Sequence, residues 1–332
     1  MKLYFCGKPG KNYGWGTCNT NLLAQLSKLC DVEIVERQPR IKLDAPTFLP
    51  IADFKLNPLF PVQATKVIGY CFAECPLDDD SRRNAPLYDL ILAGSTWNKQ
   101  RIKEAGITVP CEVMVQGIDH SLFKPQAPSE RKGFVVFSGG KYEFRKGQDY
   151  VAAAMNTFMS VRKDAFLITA WHNLWKGSEQ TMRASWLIDW DKPLAGMDMT
   201  RVFDCGLIAH EDTPKAYGLA HIGLFPNRCE AGNNLVMCEF MASARPVIAS
   251  YATGHTDVID AEYPLLLKSG SCDPAGWFNP EVSDIIAHLE WAYQNRDKLA
   301  AMGATCAERM KALTWEKCAN QIFEAAFGQP AG

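Results

Sequence analysis

The sequence predicts an α/β protein built from two doubly wound, parallel-sheet domains of Rossmann type. Short apolar runs rich in β-branched and aromatic residues alternate with helical stretches, and the connections between them are mostly short. The chain has 332 residues, about twice the usual domain size, and 47% of them are hydrophobic. Each half is therefore long enough to bury a core of its own.

The elements follow one another along the chain in strand–helix order. Strands are predicted over KLYFC, VEIVE, KVIGYCF, LYDLILA and CEVMVQ in the first part, and over GFVVFSG, AFLITAW, RVFDCGLI, HIGLFP, PVIAS and YPLLLK in the second. Helices are predicted near residues 17–30, 95–105, 147–160, 213–220, 234–243 and 282–310. The polar, proline-rich stretch HSLFKPQAPSERKG places the boundary near residues 120–132, which gives domains of residues 1–125 and 126–312.

Composition argues against several classes of function. A net charge of −2 gives no reason to expect a nucleic-acid partner, and the one basic cluster, Arg37 to Lys42, is interpreted as a solvated loop. No window of eighteen apolar residues is present, so no transmembrane segment is expected. The start MKLYFCG enters a strand without the features of a signal peptide, which favours a cytosolic protein.

The cysteines and acidic residues do not indicate a metal site. Twelve cysteines are scattered without a C-x-x-C pair, which favours buried reduced thiols over disulfides or zinc. The acidic run Asp78–Asp80 is interpreted as a solvated loop rather than a magnesium site. We therefore expect no cofactor and no catalytic metal.

Residues 224–250, LFPNRCEAGNNLVMCEFMASARPVIAS, place two carboxylates around a polar turn that opens a helix. Glu230 lies in the loop and Glu239 in the second turn of the predicted helix, which Asn233 or Asn234 can cap. Free amides at a helix start attract anions. A carboxylate pair beside an anion site suggests nucleotide-sugar chemistry. The alternative is a buried βαβ unit whose two acids are merely solvated.

This segment is similar to the donor-site signature of family 4 retaining glycosyltransferases, in which E-G-G-x-N-L-x-x-x-E leads into E-A-M-A-x-G-x-P-V-I-A-S. Here the two stretches read E-A-G-N-N-L-V-M-C-E and E-F-M-A-S-A-R-P-V-I-A-S. Eight residues separate the two glutamates, as in a longer-loop variant of the family, and Ala231 and Ala244 stand where glycine is usual. The resemblance implies the GT-B architecture, in which two Rossmann-like domains face a central cleft.

A second stretch, FVVFSGGKYEFRKGQDY at residues 134–150, resembles the G-R-x-x-x-x-K-G segment of the same family. It is predicted as a strand, a glycine turn and a basic loop that enters a helix. Lys141 occupies the usual arginine position and Lys146 the lysine position, so both ammonium groups can converge on a diphosphate leaving group. Taken singly, Lys141, Arg145 and Lys146 would be interpreted as a solvated turn.

A third match, over residues 88–125, resembles the strand, S-x-W, helix, A-G, strand and G-V-D-x-x-x-F-x-P run of the family. Just upstream, VIGYCFAECP resembles an I-G-Y-x-x-W-E-x stretch, which places Glu74 on the acceptor side of the cleft. The family also implies that a final helix, LTWEKCANQIFEAAF within residues 313–332, returns to the N-terminal domain.

Two further places are candidates for ligand contacts. The loop GKPGKNYGWGTC follows the first strand, and the resemblance places it across the cleft, with Gly14 and Gly16 on the donor side and Trp15 and Thr17 on the acceptor side. Its G-x-G pattern lacks the third glycine of a dinucleotide fingerprint. His172, which follows the strand AFLITA, is the other candidate; a satisfied polar core residue is the alternative interpretation.

The sequence therefore predicts a retaining, metal-independent glycosyltransferase that moves a sugar from a nucleotide-diphosphate donor to an acceptor hydroxyl. The resemblance implies a front-face mechanism, in which the departing phosphate takes the acceptor's proton. The predicted catalytic residues are Glu230, Lys146 and Lys141. The predicted donor contacts are Gly14, Gly16, Gly140, His172, Gly232, Asn233, Asn234, Leu235, Val236 and Glu239.

Three other classes of protein are alternatives. A nucleotide-sugar epimerase or a phosphorylase could use the same fold, and a non-catalytic sugar- or nucleotide-binding module is a further alternative. An NAD-dependent oxidoreductase is least favoured, because neither half shows the full three-glycine turn followed by an acidic residue. The donor base, the donor sugar, the glycan, lipid or small-molecule acceptor and the oligomeric state all stay open.

Overall fold

A computed structural model of the chain describes residues 1–37 and 41–328, so part of the basic cluster Arg37 to Lys42 lies outside the described residues. The chain forms two compact units. The first unit consists of Met1–Asp119, Ala231–Asn233 and the chain from Leu313 onward, and the second of His120–Glu230 and Asn234–Ala312.

The first unit contains a six-stranded parallel sheet with strand order β2-β1-β4-β6-β7-β8. Its strands, with a short pair β3–β5 beside the sheet, are β1 Lys2–Phe5, β2 Asp31–Ile34, β3 Ile41–Lys42, β4 Thr47–Pro50, β5 Val62–Gln63, β6 Val67–Cys71, β7 Leu90–Ala93 and β8 Cys111–Val113. The strand β4 was not predicted, although all four of its residues are buried. Its four residues TFLP follow Pro46, end on Pro50 and give no alternating pattern.

Three helices of the first unit connect these strands: α1 Gly14–Leu26, α2 Asp79–Asn84 and α3 Thr96–Glu104. The prediction of a loop over Gly14 to Thr17 is wrong, because α1 begins at Gly14 rather than near residue 17. The prediction of a solvated loop at the acidic run is also wrong. Asp78 accepts a hydrogen bond from the Ser81 amide and Ser81 Oγ accepts one from the Asp78 amide, a capping box that starts α2.

The second unit has a six-stranded parallel sheet with strand order β11-β10-β9-β12-β13-β14. Its strands, including the antiparallel pair β15–β16, are β9 Phe134–Lys141, β10 Ala165–His172, β11 Val202–Asp204, β12 Ile222–Phe225, β13 Val247–Ser250, β14 Leu266–Leu267, β15 Gly270–Cys272 and β16 Phe278–Pro280. Taken in chain order, the six sheet strands lie as 3-2-1-4-5-6, the arrangement of the doubly wound Rossmann fold. The prediction of two parallel-sheet, Rossmann-like domains is confirmed.

The helices of the second unit are α4 Gln148–Val161, α5 Lys176–Glu179, α6 Thr213–Leu219, α7 Leu235–Ala242, α8 Val282–Gln294 and α9 Arg296–Met310. The single helix predicted over residues 282–310 is two helices, because Asn295 has φ −117° and ψ 40° and interrupts the α-helical backbone. The predicted glycine turn at Gly140 is also wrong, since β9 continues through it to Lys141.

The last described helix, α10 Trp315–Phe327, belongs to the first unit. Its Cys318 Sγ donates to the Val115 carbonyl at 3.1 Å, and Gln321 Nε2 donates to the Val113 carbonyl at 2.8 Å. Thr314 caps its start by accepting a hydrogen bond from the Lys317 amide. These bonds hold α10 against the end of β8 and the residues that follow it.

The cores of the two units are apolar, and the twelve cysteines form no disulfide within the described chain. In the second unit Phe137 of β9 stacks on Phe240 of α7 with ring centroids 5.2 Å apart. Within residues 1–37 and 41–328, no helix has both the length and the apolar composition that crossing a membrane requires.

Candidate active site

The candidate site lies at the carboxyl ends of the two central strands of the second sheet. The strands β9 and β12 are neighbours there, and the chain order reverses between them. In open α/β sheets this reversal opens a crevice at the carboxyl edge, where ligands bind. The loop after β9 carries Lys141 and Lys146, and the loop after β12 carries Glu230. The topology therefore brings the two predicted motifs to one edge.

Gly147 allows the two loops to come into contact. Its φ of 71° lies in the left-handed region, and a Cβ atom at this position would lie 2.2 Å from the Pro226 carbonyl oxygen. Only glycine meets both conditions without strain. The amide of Arg228 also donates to the Arg145 carbonyl at 2.8 Å, which joins the loops through the main chain.

A buried ion pair fixes this contact. Arg228 and Asp149 have side-chain exposures of 1% and 0%. Arg228 Nη1 and Nη2 donate to the two carboxylate oxygens of Asp149 at 2.7 and 2.6 Å, and Nε donates to Asn279 Oδ1 at 3.0 Å. The guanidinium lies between the rings of Phe144 and Tyr150, with its central carbon 3.7 and 4.2 Å from their centroids. Both charges are thus paired, as burial requires.

Five charged side chains form one continuous network at the crevice. Lys146 Nζ lies 2.6 Å from Glu230 Oε1, and Arg145 Nη1 lies 3.0 Å from Glu230 Oε2. Arg145 also pairs through Nε with Glu143, whose other oxygen lies 2.7 Å from Lys141 Nζ. Three cations therefore face two carboxylates, which leaves an excess of positive charge at the switch point. The two predicted lysines bind different carboxylates, and Arg145 links the two pairs.

Burial and charge act in opposite directions on the ionisable groups of this network. Burial would raise the pKa of Glu230, but Lys146 and Arg145 outweigh it and lower that pKa to about 2. The pKa of Glu143 is lowered in the same way by Arg145 and Lys141, against the effect of burial. For Lys146, burial and the neighbouring Arg145 lower the pKa, while Glu230 opposes them. Both carboxylates are therefore ionised at neutral pH.

We expect the contribution of Glu230 to stability to depend on pH. Its folded-state pKa of about 2 lies below the ordinary value of 4.5, so the stabilisation is complete above about pH 5 and is lost as the pH falls toward 2. A shift of this size corresponds to about 3 kcal/mol. Urea unfolding of the wild type and Glu230→Gln should show a difference in the free energy of unfolding that is constant from pH 8 to about 5.5 and shrinks below about 5. A difference that grows on acidification would contradict the assigned ion pairs.

A tight turn over Thr253–His255 holds both ends of the β12–α7 connection. Thr253 Oγ1 accepts a hydrogen bond from the Glu230 amide at 3.0 Å, and the Gly254 amide donates to the Glu230 carbonyl at 2.8 Å. His255 Nδ1 donates to the Ser250 carbonyl at 3.0 Å, which leaves Nε2 to accept from Asn234 Nδ2 at 3.3 Å. Burial lowers the pKa of His255 to about 4, so the ring is neutral.

The helix α7 begins as predicted, with Asn234 as its cap. Asn234 has a left-handed φ of 57°, and its Oδ1 accepts a hydrogen bond from the Met237 amide at 3.4 Å. The amides of the first-turn residues Leu235 and Val236 have no partner within the helix. Both residues are half-buried, in contrast to the fully buried residues around them. The α7 start can therefore present amides to an anion.

Asn234 supports both a cap and a left-handed backbone, and two substitutions separate these roles. Both Asn234→Gly and Asn234→Ala lose the cap and the bond to His255. Asn234→Gly should nevertheless cost about 1 kcal/mol less than Asn234→Ala, because glycine tolerates the left-handed conformation and alanine is strained in it. Urea unfolding of the two variants beside the wild type checks the order. Equal losses would show that the φ of 57° contributes nothing.

Glu239 lies in the second turn of α7, as predicted, and is buried with 5% of its surface exposed. Its Oε1 lies 2.8 Å from His210 Nε2. His210 begins the short helical turn that precedes α6. The Glu239 carboxylate, which is predicted to bind the ribose, therefore contacts His210 in this structure. A ribose hydroxyl would have to bind beside this histidine or displace it.

The remaining predicted donor residues fall in two groups. Gly140 and His172 lie with Lys141 at the carboxyl ends of β9 and β10, where His172 pairs in register with Lys141. Gly232 and Asn233 belong to the first unit, where Asn233 Nδ2 donates to the Gln116 carbonyl at 2.9 Å. The second unit therefore does not supply the whole predicted donor loop.

The predicted residues from the first glycine-rich stretch lie in the first turn of α1, in the first unit. Gly14 is exposed, Gly16 and Thr17 are buried, and Trp15 packs edge-on against Phe72 with ring centroids 5.0 Å apart. The burial of Thr17 argues against a direct ligand contact for its side chain.

Glu74 is half-buried and follows β6 by three residues. It therefore lies in the connection after the strand's carboxyl end, within the first unit. No group of three or more His, Cys, Asp or Glu side chains within the described chain is placed to hold a metal ion.

Sequence reasoning missed the residues that hold the site together: Glu143, Arg145, Asp149, Asn227, Arg228, Thr253 and His255. Asn227 Nδ2, for example, donates to Glu230 Oε1 at 2.5 Å. The only local signal was the position of these polar residues inside apolar runs or next to a motif residue. Their partners lie far away in the chain, so no spacing rule identifies them.

Comparison with known proteins agrees with the resemblance of the sequence to glycosyltransferases. Residues 132–279 match the family described as Glycosyl transferases group 1. No curated protein matches the chain in sequence. Sucrose-phosphate synthase from Thermosynechococcus elongatus is similar in structure over 98% of this chain and 98% of its own, with 16% identity and a TM-score of 0.71.

Two other solved structures have a similar fold. HepE from Anabaena, in complex with UDP and glucose, matches 99% of this chain and 100% of its own, with 15% identity and a TM-score of 0.71. A trehalose-6-phosphate synthase studied with bisubstrate glycomimetics matches 95% of this chain and 78% of its own, with 12% identity and a TM-score of 0.64. The chain therefore has the GT-B fold, and its residues 132–279 match the family Glycosyl transferases group 1.

Proposed function

We propose that this enzyme is a retaining glycosyltransferase that uses a nucleotide-diphosphate sugar as its donor and needs no metal ion. The observation that carries the proposal is the Lys146–Glu230 pair, 2.6 Å apart, at the switch point of the second sheet. This position combines a buried carboxylate, an excess of positive charge and a helix start, the three features that an activated sugar with a pyrophosphate requires.

The cations of the network would neutralise the diphosphate. An ammonium group has three N–H donors, and Lys146 uses one of them on Glu230, so the others can reach phosphate oxygens. The amides of Leu235 and Val236 at the start of α7 would supply further donors. Because Arg145 and Lys146 are held by carboxylates before ligand arrives, they need little reorganisation as charge develops on the leaving oxygen.

The carboxylates would hold the sugar and the ribose. Glu230 has its charge balanced by two cations and lies beside the proposed diphosphate position, where it can accept hydrogen bonds from the transferred sugar. Glu239 would bond the ribose hydroxyls and exchange its present partner His210 for them. In this scheme the departing phosphate accepts the proton of the acceptor hydroxyl on the same face of the sugar, so no separate base is assigned.

Charge compensation by lysine and arginine supports the metal-independent part of the proposal. Solved structures of similar fold support the donor class, because HepE is described in complex with UDP-glucose, with 15% identity to this chain. The predicted cytosolic location stays a prediction.

A thermal-shift screen with UDP, GDP, ADP and CDP sugars tests the proposal first. A bound donor stabilises the native state in proportion to its occupancy, so one base should raise the Tm in a saturable way. Transfer to a panel of acceptors, with NMR of the product's anomeric proton, should show the donor configuration retained in the presence and absence of EDTA. An inverted product would reject retention, and loss of activity with EDTA would reject metal independence.

Incubation of the donor without an acceptor separates the two remaining alternatives. An epimerase would convert the sugar of the donor without any acceptor present. A binding module would show a thermal shift and release no nucleotide with any acceptor.

A further inference from the structure

The second unit contains a cavity of about 350 Å³ at the edge of its sheet opposite to the candidate active site. Gly133, His221 and Arg245 line it and come just before β9, β12 and β13 respectively. The sheet is parallel, so the amino ends of these strands lie together at the edge away from Lys146 and Glu230. The cavity is therefore separate from the proposed donor site.

Arg245 is the central feature of this cavity. It is 3% exposed, and its guanidinium donates only to main-chain carbonyls: Nε to Tyr217 at 3.0 Å, and Nη2 to Ala127 at 2.6 Å and to Gly218 at 3.3 Å. No carboxylate of the described chain pairs with it. A buried charge without a counter-charge is costly, so an anion in the cavity would be strongly favoured.

Other hydrogen-bond donors line the same cavity. The guanidinium of Arg131, an exposed residue, has no hydrogen bond or ion pair within the described residues. Arg296 uses Nε and Nη2 on the Tyr293 carbonyl and on Asp164, at 3.1 and 3.0 Å. His221 Nδ1 accepts from the Val135 amide at 3.0 Å, so the proton of the neutral ring is on Nε2. Burial and the nearby arginines lower the pKa of His221 to about 4, which keeps the ring neutral.

The helix α9 adds a partial positive charge to this set. Arg296, Asp297, Leu299 and Ala300 of its first turns line the cavity, and the amides of a helix's first turn have no intrahelical partner. Among the described residues that line the cavity, Asp297 is the only carboxylate, against three arginines. The lining is therefore cationic, and its one carboxylate among the described residues, Asp297, could accept a hydrogen bond from a hydroxyl of the ligand.

We propose that this cavity binds the phosphate group of a small phosphomonoester, at a site separate from the nucleotide-sugar site. Arginine binds two phosphate oxygens at once, and Arg131 is available for such a bond. His221 Nε2–H and the α9 start supply neutral donors, and Asp297 can accept a hydroxyl of the same ligand. A volume of about 350 Å³ is at the lower end of the range for small-molecule sites.

Titration calorimetry on the full chain tests this site, with inorganic phosphate and glycerol 3-phosphate as probes at constant ionic strength. The Lys146→Ala variant serves as the background, since phosphate could also enter the proposed donor site. We expect saturable binding at one site in this background. Adding Arg131→Ala should weaken it about tenfold or more, because a charge-assisted pair is lost. Adding Lys132→Ala, an exposed neighbour that does not line the cavity, should leave it unchanged.

NMR of ¹⁵N-histidine-labelled protein provides a second measurement, in which phosphate should shift the His221 ring signals. No saturable binding of either probe would overturn the proposal. So would binding that is lost in Lys146→Ala, or binding that Arg131→Ala leaves intact while the His221 signals do not move. These outcomes do not depend on transferase activity, so the proposed function can fail or stand separately.

Discussion

Lys146→Ala is expected to lower kcat by about 10²–10³, the usual cost of removing one preorganised donor from a developing negative charge. The side chain of Lys146 is 12% exposed and lies 2.6 Å from Glu230, so its ammonium group is held in place before the donor binds. Lys146→Ala should still fold, because Arg145 remains 3.0 Å from the same carboxylate. Steady-state kinetics with the donor from the thermal-shift screen measures the loss.

Lys141→Ala is the matched comparison. Its ammonium group is 31% exposed and pairs with Glu143, and it lies 5.4 Å from the centre of the Trp175 ring. Water screens this lysine more strongly, so we expect a smaller loss of kcat than for Lys146→Ala. A folded Lys146→Ala enzyme with unchanged kcat would remove the role proposed for this lysine. A larger loss from Lys141→Ala would place the diphosphate nearer to the ammonium group of Lys141.

Arg228→Met is expected to reduce the free energy of unfolding by about 3–5 kcal/mol. The substitution leaves the Asp149 carboxylate buried without its charge partner, and it also removes the bonds to Asn279 and to the Phe144 carbonyl. The double variant Arg228→Met/Asp149→Leu should recover much of the loss, because replacing both charges leaves no uncompensated group. Denaturant unfolding of the four proteins gives the coupling energy of the pair.

Arg162→Met provides the control for this measurement. Arg162 and Glu290 form an ion pair in the same unit, with side-chain exposures of 32% and 27%. A partly exposed ion pair contributes about 1 kcal/mol or less to the free energy of unfolding, so Arg162→Met should cost far less than Arg228→Met. Equal losses in the two variants would show that burial does not set the strength of the Arg228–Asp149 pair.

The Arg228 result also bears on the active site. Arg228 is two residues before Glu230, and its amide binds the carbonyl of Arg145. Loss of the ion pair should therefore loosen the contact between the two motif loops. We expect Arg228→Met to reduce donor affinity as well as stability at temperatures where the protein is still folded. The thermal-shift titration measures both in one experiment.

Hydrophobic patterns in the sequence predict most of the strands and helices. The elements that were predicted wrongly or not at all have local explanations. The strand β4 was not predicted because its four residues are all buried, and the run, which follows Pro46 and ends on Pro50, shows no alternation of polar and apolar residues. The helices α8 and α9 were merged because Asn295, where the backbone leaves the α-helical conformation, is neither glycine nor proline. The start of α1 was placed too late because two glycines in its first turn are typical of a loop.

The candidate site was predictable where it depends on motifs and unpredictable where it depends on partners. Glu230 and the cap Asn234 follow from their positions beside a strand end and a helix start, whereas Lys146 follows from the resemblance of its segment to the G-R-x-x-x-x-K-G motif. The bond between Asn234 and His255 was not predictable, since a buried histidine of this type shows no pattern in the sequence. The sequence also does not show that Lys141 and Lys146 pair with two different carboxylates, those of Glu143 and Glu230.

The sequence by itself determined most of the order of strands and helices, the resemblance of the second half to a known family and the residues that carry charge at the strand ends. These properties are local, because periodicity, caps and motif spacing act over a few residues. Only the tertiary structure decided which charges meet. Lys146 and Glu230 are 84 residues apart, and their pairing depends on β9 and β12 lying side by side in the sheet. Electrostatic energy depends on the distance between two charges in space and on their burial. Neither quantity can be calculated from the number of residues between them.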